Sequence, residues 1–162
     1  MEEQLLQVLV NSGADVSGDR KELPEILNYQ QAVRMTLDLA AQLTKMHENH
    51  RGFISVTKEQ VVMIGDNNFL LKDLDLFRVD SNNKILISRP FEYNQLMAPE
   101  LKDIDTLPSR VNSNVGYYSI CKLVLSLLNI DNKLERLNPT KLFYLMKRIF
   151  SPDPEKRRFL YI

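Results

Sequence analysis

Only one cysteine, Cys121, occurs among 162 residues, and there is no tryptophan. A lone thiol excludes an internal disulfide framework and points to a reducing compartment. An excess of charge of either sign is also missing. Twenty-one basic residues face 21 acidic ones, so no bulk electrostatic footprint marks nucleic acid or an anionic membrane as a partner. Long apolar runs are absent too: none reaches the ~18 residues that read as a bilayer-spanning helix. The first residues, Met1-Glu2-Glu3-Gln4, are acidic and lack the basic start and apolar stretch of a secretory signal. The expectation is a cytoplasmic or nuclear protein, not a secreted one. A chain of this length buries roughly 70% of its unfolded surface, so one domain holds its core without metal or disulfide.

Hydrophobic spacing then divides the chain. Residues 5–10 form a short apolar run that ends at Asn11-Ser12-Gly13, and read as a buried strand or one helical turn. Polar residues 11–24 read as a loop, with Pro24 opening a short helix over 24–28. A long helix is expected over residues 30–48.

 Val33, Leu37, Ala40, Leu43 and Met46 recur there at spacings of three and four, while Gln31, Arg34, Asp38, Gln42 and Lys45 fall on other faces. Val61-Val62-Met63-Ile64, the turn Gly65-Asp66-Asn67-Asn68 and Phe69-Leu70-Leu71 predict a small hairpin. Residues 78–97 read as a long loop with one further strand at 85–87. A second helix, apolar on most of its circumference and therefore buried, is expected over 115–129. Asn138-Pro139 predicts the start of a third, running to about residue 150. The expected fold class is mainly α with a few short β-strands.

Several pieces, taken in order, resemble the C-terminal lobe of the protein kinase fold. Met97-Ala98-Pro99-Glu100 is similar to the Ala-Pro-Glu that closes a kinase activation segment. Ser151-Pro152-Asp153-Pro154-Glu155-Lys156-Arg157 resembles the Asp-Pro-x-x-Arg stretch near a kinase C-terminus. Tyr117-Tyr118-Ser119-Ile120-Cys121 resembles the start of the central helix, written Asp-x-Tyr-Ser-x-Gly in the family. Leu39 to His47 is similar to the helix before the catalytic loop, and Leu71-Lys72-Asp73-Leu74-Asp75 stands where Asp-Phe-Gly belongs. The resemblance divides the chain into a hinge-like strand and loop (1–24), the long helix (30–48), a degenerate catalytic and metal loop (53–76), a degenerate activation segment (77–100) and C-lobe helices (115–160). It implies a structural ion pair between Glu100 and Arg157, and a chain that starts at about the hinge, without the N-lobe.

The same resemblance implies an inactive molecule. Its catalytic His-Arg-Asp falls on Phe53, Ile54 and Ser55, the lysine on Thr57 and the asparagine on Gln60. Serine does not take up the substrate proton as an aspartate does. The central-helix aspartate falls on Gly116, as expected of a loop that no longer needs holding. No Gly-x-Gly-x-x-Gly surrounds Gly13. Asp73 and Asp75 are the candidate Mg²⁺ ligands, against the simpler reading of a solvated turn. No cofactor is expected, ATP with Mg²⁺ included. His47 and His50 read as exposed histidines at a helix end rather than a metal pair, and Cys121 as a core residue. The implied function is a protein-interaction module whose partner is a protein kinase or a kinase substrate, with no nucleic acid and no membrane. Leu6, Val8, Leu9 and Val10, and Leu142, Phe143 and Met146 after Pro139, are the candidate contact residues. Two other readings stay open: a nucleotide-binding regulator completed by a partner chain, and a helical adaptor unrelated to kinases.

Overall fold

A computed structural model describes all residues, 1–162. Its elements are α1 (Glu2–Asn11), β1 (Arg20–Glu22), α2 (Tyr29–Glu48), β2 (Arg51–Gly52), β3 (Val61–Ile64), β4 (Asn68–Leu71), β5 (Phe77–Val79), β6 (Lys84–Ile87), β7 (Ser109–Asn112), α3 (Val115–Leu127) and α4 (Lys141–Ile149). Short 3-10 turns lie between them. The strands form two antiparallel sheets, ordered β1-β3-β4 and β2-β5-β6-β7. With seven strands beside four helices the fold is mixed α/β, not mainly α. No helix is long and apolar enough to cross a membrane.

The axis of the molecule is α2, and its start is set by a reciprocal cap. The Asn28 side chain accepts the Gln31 N–H at 2.8 Å, and the Gln31 side chain accepts the Asn28 N–H at 3.1 Å. Met35, Leu39, Leu43 and Met46 are buried along one face. Asp38 and Gln42, expected away from the apolar face, are also buried, at 2% and 0% exposure. Their partners explain why. Strand β4 bonds to β3 along one edge and turns its other edge toward α2. There Asp38 Oδ2 accepts the Phe69 N–H at 3.0 Å, Gln42 Oε1 accepts the Leu71 N–H at 2.9 Å, and Gln42 Nε2 donates to the Phe69 carbonyl at 2.8 Å. Two helix side chains thus stand in for a neighbouring strand, and satisfy backbone groups that are costly to bury alone.

Residues 5–10 belong to the helix α1 and not to a strand. Leu5 and Leu9 are one helical turn apart, and both are buried where α1 packs on α2 and β4. Glu2 and Glu3 in its first turn suit the positive end of the helix dipole. The loop expected over 11–24 contains β1, which pairs with β3. No helix forms over 24–28; there the Leu27 N–H donates to the Leu127 carbonyl at 2.8 Å, joining this segment to the end of α3.

The expected loop over 78–97 holds most of a hairpin. Phe77, Val79, Ile85 and Ile87 are buried while Arg78 points outward, the period of two of a half-buried sheet. Asp80 Oδ1 closes the turn by accepting the Asn82 and Lys84 N–H groups at 2.9 and 3.0 Å. Helix α4 begins at Lys141 and not at Pro139, because the Thr140 hydroxyl caps it by accepting the Phe143 N–H at 3.2 Å.

One buried and one half-buried ionisable group on α2 give stability opposite slopes with pH. Burial raises the Asp38 carboxyl to about 6, against Arg34 at 3.2 Å and the Phe69 N–H, which favour its charge. Burial lowers His47 to about 4 and keeps it neutral, edge-on to the Tyr117 ring at 5.6 Å. The folded chain therefore holds the Asp38 proton more tightly than the unfolded one, and this contribution is lost as pH rises from 3.8 through 6. For His47 the contribution is present above 6.5 and lost as pH falls toward 4. Each amounts to roughly 3 kcal/mol. Urea denaturation across this range is expected to show Asp38→Asn gaining stability over the wild type as pH rises from about 4 to 6, and His47→Gln losing it relative to the wild type. Parallel curves for all three proteins would refute both assignments.

Candidate functional site

The loop of residues 53–60 runs from β2 to β3 and lies across the start of α3. Phe53, Ile54 and Val56 are buried, and Ser55 is half-buried. The loop is held, contrary to the expectation drawn from Gly116: the Val56 N–H donates to Ser119 Oγ at 2.9 Å. Gly116 is closely covered on its side-chain side. A Cβ there would lie 2.6 Å from Leu43 Cδ2 and 3.1 Å from the Phe53 carbonyl oxygen. The loop backbone rests directly on this glycine, and the serine one turn further along α3 ties it down.

A cleft of about 250 Å³ opens at this loop and brings together Ile54, Ser55, Thr57, Gln60 and Asp75. Asp73 is not part of its lining. Residue Ser55 accepts a long hydrogen bond, 3.4 Å, from Asn94 Nδ2. Both ends of Gln60 are engaged: Oε1 accepts the Thr57 N–H at 3.0 Å and Nε2 donates to the Asp73 carbonyl at 3.1 Å. Its carbonyl oxygen is therefore committed to the loop. Asp73 is exposed and has a left-handed backbone, with φ at +52°. Asp75 is exposed and ion-paired with Arg89, whose guanidinium lies 3.9 Å from the Phe77 ring centroid. Glu92 lines the cleft as well, and neither it nor Asp75 hydrogen-bonds Ser55.

On the other side of α3, Glu100 and Arg157 form a two-pronged ion pair. Arg157 Nη1 and Nη2 donate to Glu100 Oε2 and Oε1 at 2.5 and 2.9 Å. The arginine side chain is fully buried. Its Nε donates to the Ser151 carbonyl at 3.0 Å, Nη1 reaches Asn114 Oδ1 at 3.4 Å, and the guanidinium lies 4.9 Å from the Tyr118 ring centroid. One side chain thereby fastens the segment at Glu100, the start of α3 and the turn after α4. A two-pronged carboxylate and a ring face suit the planar guanidinium and would not suit lysine.

The candidate contact residues divide. Leu9, Leu142 and Met146 are buried core residues and offer nothing to a partner. Leu6, Val8 and Phe143 are half-buried, and Val10 is exposed. Cys121 is buried in α3, and burial pushes its thiol pKa up. His50 is exposed, but His47 is turned inward, with Nε2 buried and unpartnered. Ser119 and Asn114 were missed as site residues; the Tyr-Ser text carried Ser119, but nothing local showed that its hydroxyl faces the loop. No family model matches the chain, and no curated protein matches it by sequence.

Removing one partner of the buried pair leaves the other charge uncompensated. Glu100→Ala is expected to cost about 3–5 kcal/mol in urea denaturation, and Glu100→Gln less. Ser119→Ala, which strips the Val56 N–H of its acceptor, is expected to cost about 1–3 kcal/mol. Losses below about 0.5 kcal/mol for both alanine variants would mean that neither contact supports the site.

Proposed function

We propose that this chain is a catalytically inactive, kinase-like C-lobe module that works by binding another protein, as an inhibitor, decoy or regulator of a true kinase or of its substrate. The observation that carries the reading is the Glu100–Arg157 pair, because it joins the two stretches, Met97-Ala98-Pro99-Glu100 and Asp153 to Arg157, whose text resembles kinase motifs. The order of elements supports it: long helix, loop over a buried central helix, hairpin, then a segment ending at Glu100. An adaptor unrelated to kinases gives no reason for that pairing.

Inactivity follows from the chemistry of the loop. Ser55 occupies the position of the catalytic base, and a serine hydroxyl does not accept the substrate proton near neutral pH. Gln60 is locked between Thr57 and Asp73, and Asp75 is neutralised by Arg89. Restoring the family's aspartate in the central helix would press its Cβ against Leu43 and the Phe53 carbonyl at Gly116. A domain kept in this condition is of use through its surface.

Thermal melting with and without Mg²⁺–ATP tests the reading. A ligand at about a hundred times its dissociation constant adds about 2.7 kcal/mol, a shift of several degrees. No shift is expected, and no phosphoryl transfer to a generic protein substrate, from the wild type or from Ser55→Asp. A clear shift would favour a nucleotide-binding regulator, and measurable transfer would overturn the proposal.

A further inference from the structure

The charges of this neutral chain are not evenly spread. Residues 133–162 hold eight basic residues against three acidic ones, Glu135, Asp153 and Glu155. Helix α4 has no acidic residue at all, and its three cations, Lys141, Lys147 and Arg148, have no carboxylate within ion-pairing distance. A helical projection puts Leu142, Leu145, Met146 and Ile149 on the buried arc. The opposite arc carries Phe143, Lys147, Tyr144, Arg148 and Lys141 in angular order, two aromatic rings among three cations.

These groups are held in place. The Lys147 ammonium lies 5.8 Å from the Phe143 ring centroid, and Phe143 meets Tyr144 edge-on at 5.0 Å. The Lys141 ammonium lies 5.6 Å from the Tyr161 ring centroid. Arg148 donates to the Leu160 carbonyl, so residues 160–161 run beside the same arc. Tyr144 is 44% exposed and Leu160 46%, which leaves apolar surface between fixed positive charges.

We infer that the outer face of α4, with the adjoining residues 160–161, is a docking surface for an acidic protein segment that carries aromatic or aliphatic side chains. This rests on the reading of the chain as a protein-binding module and names the face and the partner's chemistry. Unpaired cations attract carboxylates over a distance set by screening, and the exposed tyrosine and leucine supply apolar contact once they arrive. Charge complementarity therefore selects the occupant. A bilayer surface fits less well, because lipid binding is strongest for an apolar ridge that sinks below a rim of extended lysines. Here the cations lie back over rings, and the apolar groups are interspersed among them.

The test is fluorescence anisotropy with a labelled synthetic peptide of Asp-Glu-Phe repeats, beside a peptide of Asp-Glu-Gly repeats and vesicles of phosphatidylserine and phosphatidylcholine. The Phe-containing peptide is expected to bind, severalfold more tightly than the Gly-containing one, and to weaken as salt rises from about 50 to about 300 mM. Lys141→Glu with Lys147→Glu is expected to weaken binding at least about tenfold, and Tyr144→Ala severalfold. These side chains are on the outside of the helix, and an unchanged melting temperature verifies that each variant folds. Absence of peptide binding, equal binding by the double variant, or binding of vesicles in place of peptide overturns the inference. A melting shift with Mg²⁺–ATP would instead favour the nucleotide-binding regulator and leave the peptide result to be judged by itself.

Discussion

A buried guanidinium needs every donor answered, and Arg157 is the point on which distant parts of this chain converge. Its charge is met by Glu100, its Nε by the Ser151 carbonyl, and its face by the Tyr118 ring. Each partner comes from a different stretch of chain. The segment before Glu100 has little regular structure between β6 and the 3-10 turn at Pro99–Asp103. The ion pair ties it to the turn after α4. A guanidinium accepts this role because its donors are fixed in a plane, so that satisfying all of them specifies the positions of the partners as well.

Helix α3 is the second constraint. It is buried around most of its circumference, so everything packed on it must present either apolar surface or a satisfied polar group. Gly116 and Ser119 show both solutions within one turn. The glycine lets the Phe53 carbonyl approach closely, and the serine hydroxyl takes the Val56 N–H. The same economy appears where α2 meets β4. Asp38 and Gln42 bond the free edge of the strand, at the expense of holding a carboxylate where burial disfavours its charge.

These contacts maintain the loop of residues 53–60 across the start of α3. Ser55 sits at a shaped cleft with Gln60 and Asp75 beside it, and both of those side chains are engaged by the protein itself. Polar groups that bind one another rigidify a structure; groups that await a substrate are usually left open. On the outer face of α4, by contrast, Lys141 and Lys147 have rings beside them and no carboxylates.

What could be read from the sequence was what short-range periodicity encodes. The spacing in α2, the continuous apolar surface of α3 and the β3–β4 hairpin were legible, because a helix or a tight turn is decided by residues within a few positions of each other. The pairing of Glu100 with Arg157 was anticipated through a resemblance in text and not through any local pattern. Tertiary structure alone decided which faces are covered. Periodicity puts Leu9, Leu142 and Met146 on a common side of their helices, but only packing makes that side the core. It likewise marks Asp38 and Gln42 as polar, and only the unpaired edge of β4 draws them inward. Residues 77–87 became a hairpin through the sheet that β2 and β7 complete on either side. Sequence by itself set the long helices, the β3–β4 hairpin and their amphipathic faces; the assembly of those faces set burial, hydrogen-bond partners and shifted pKa values, because each depends on residues distant along the chain.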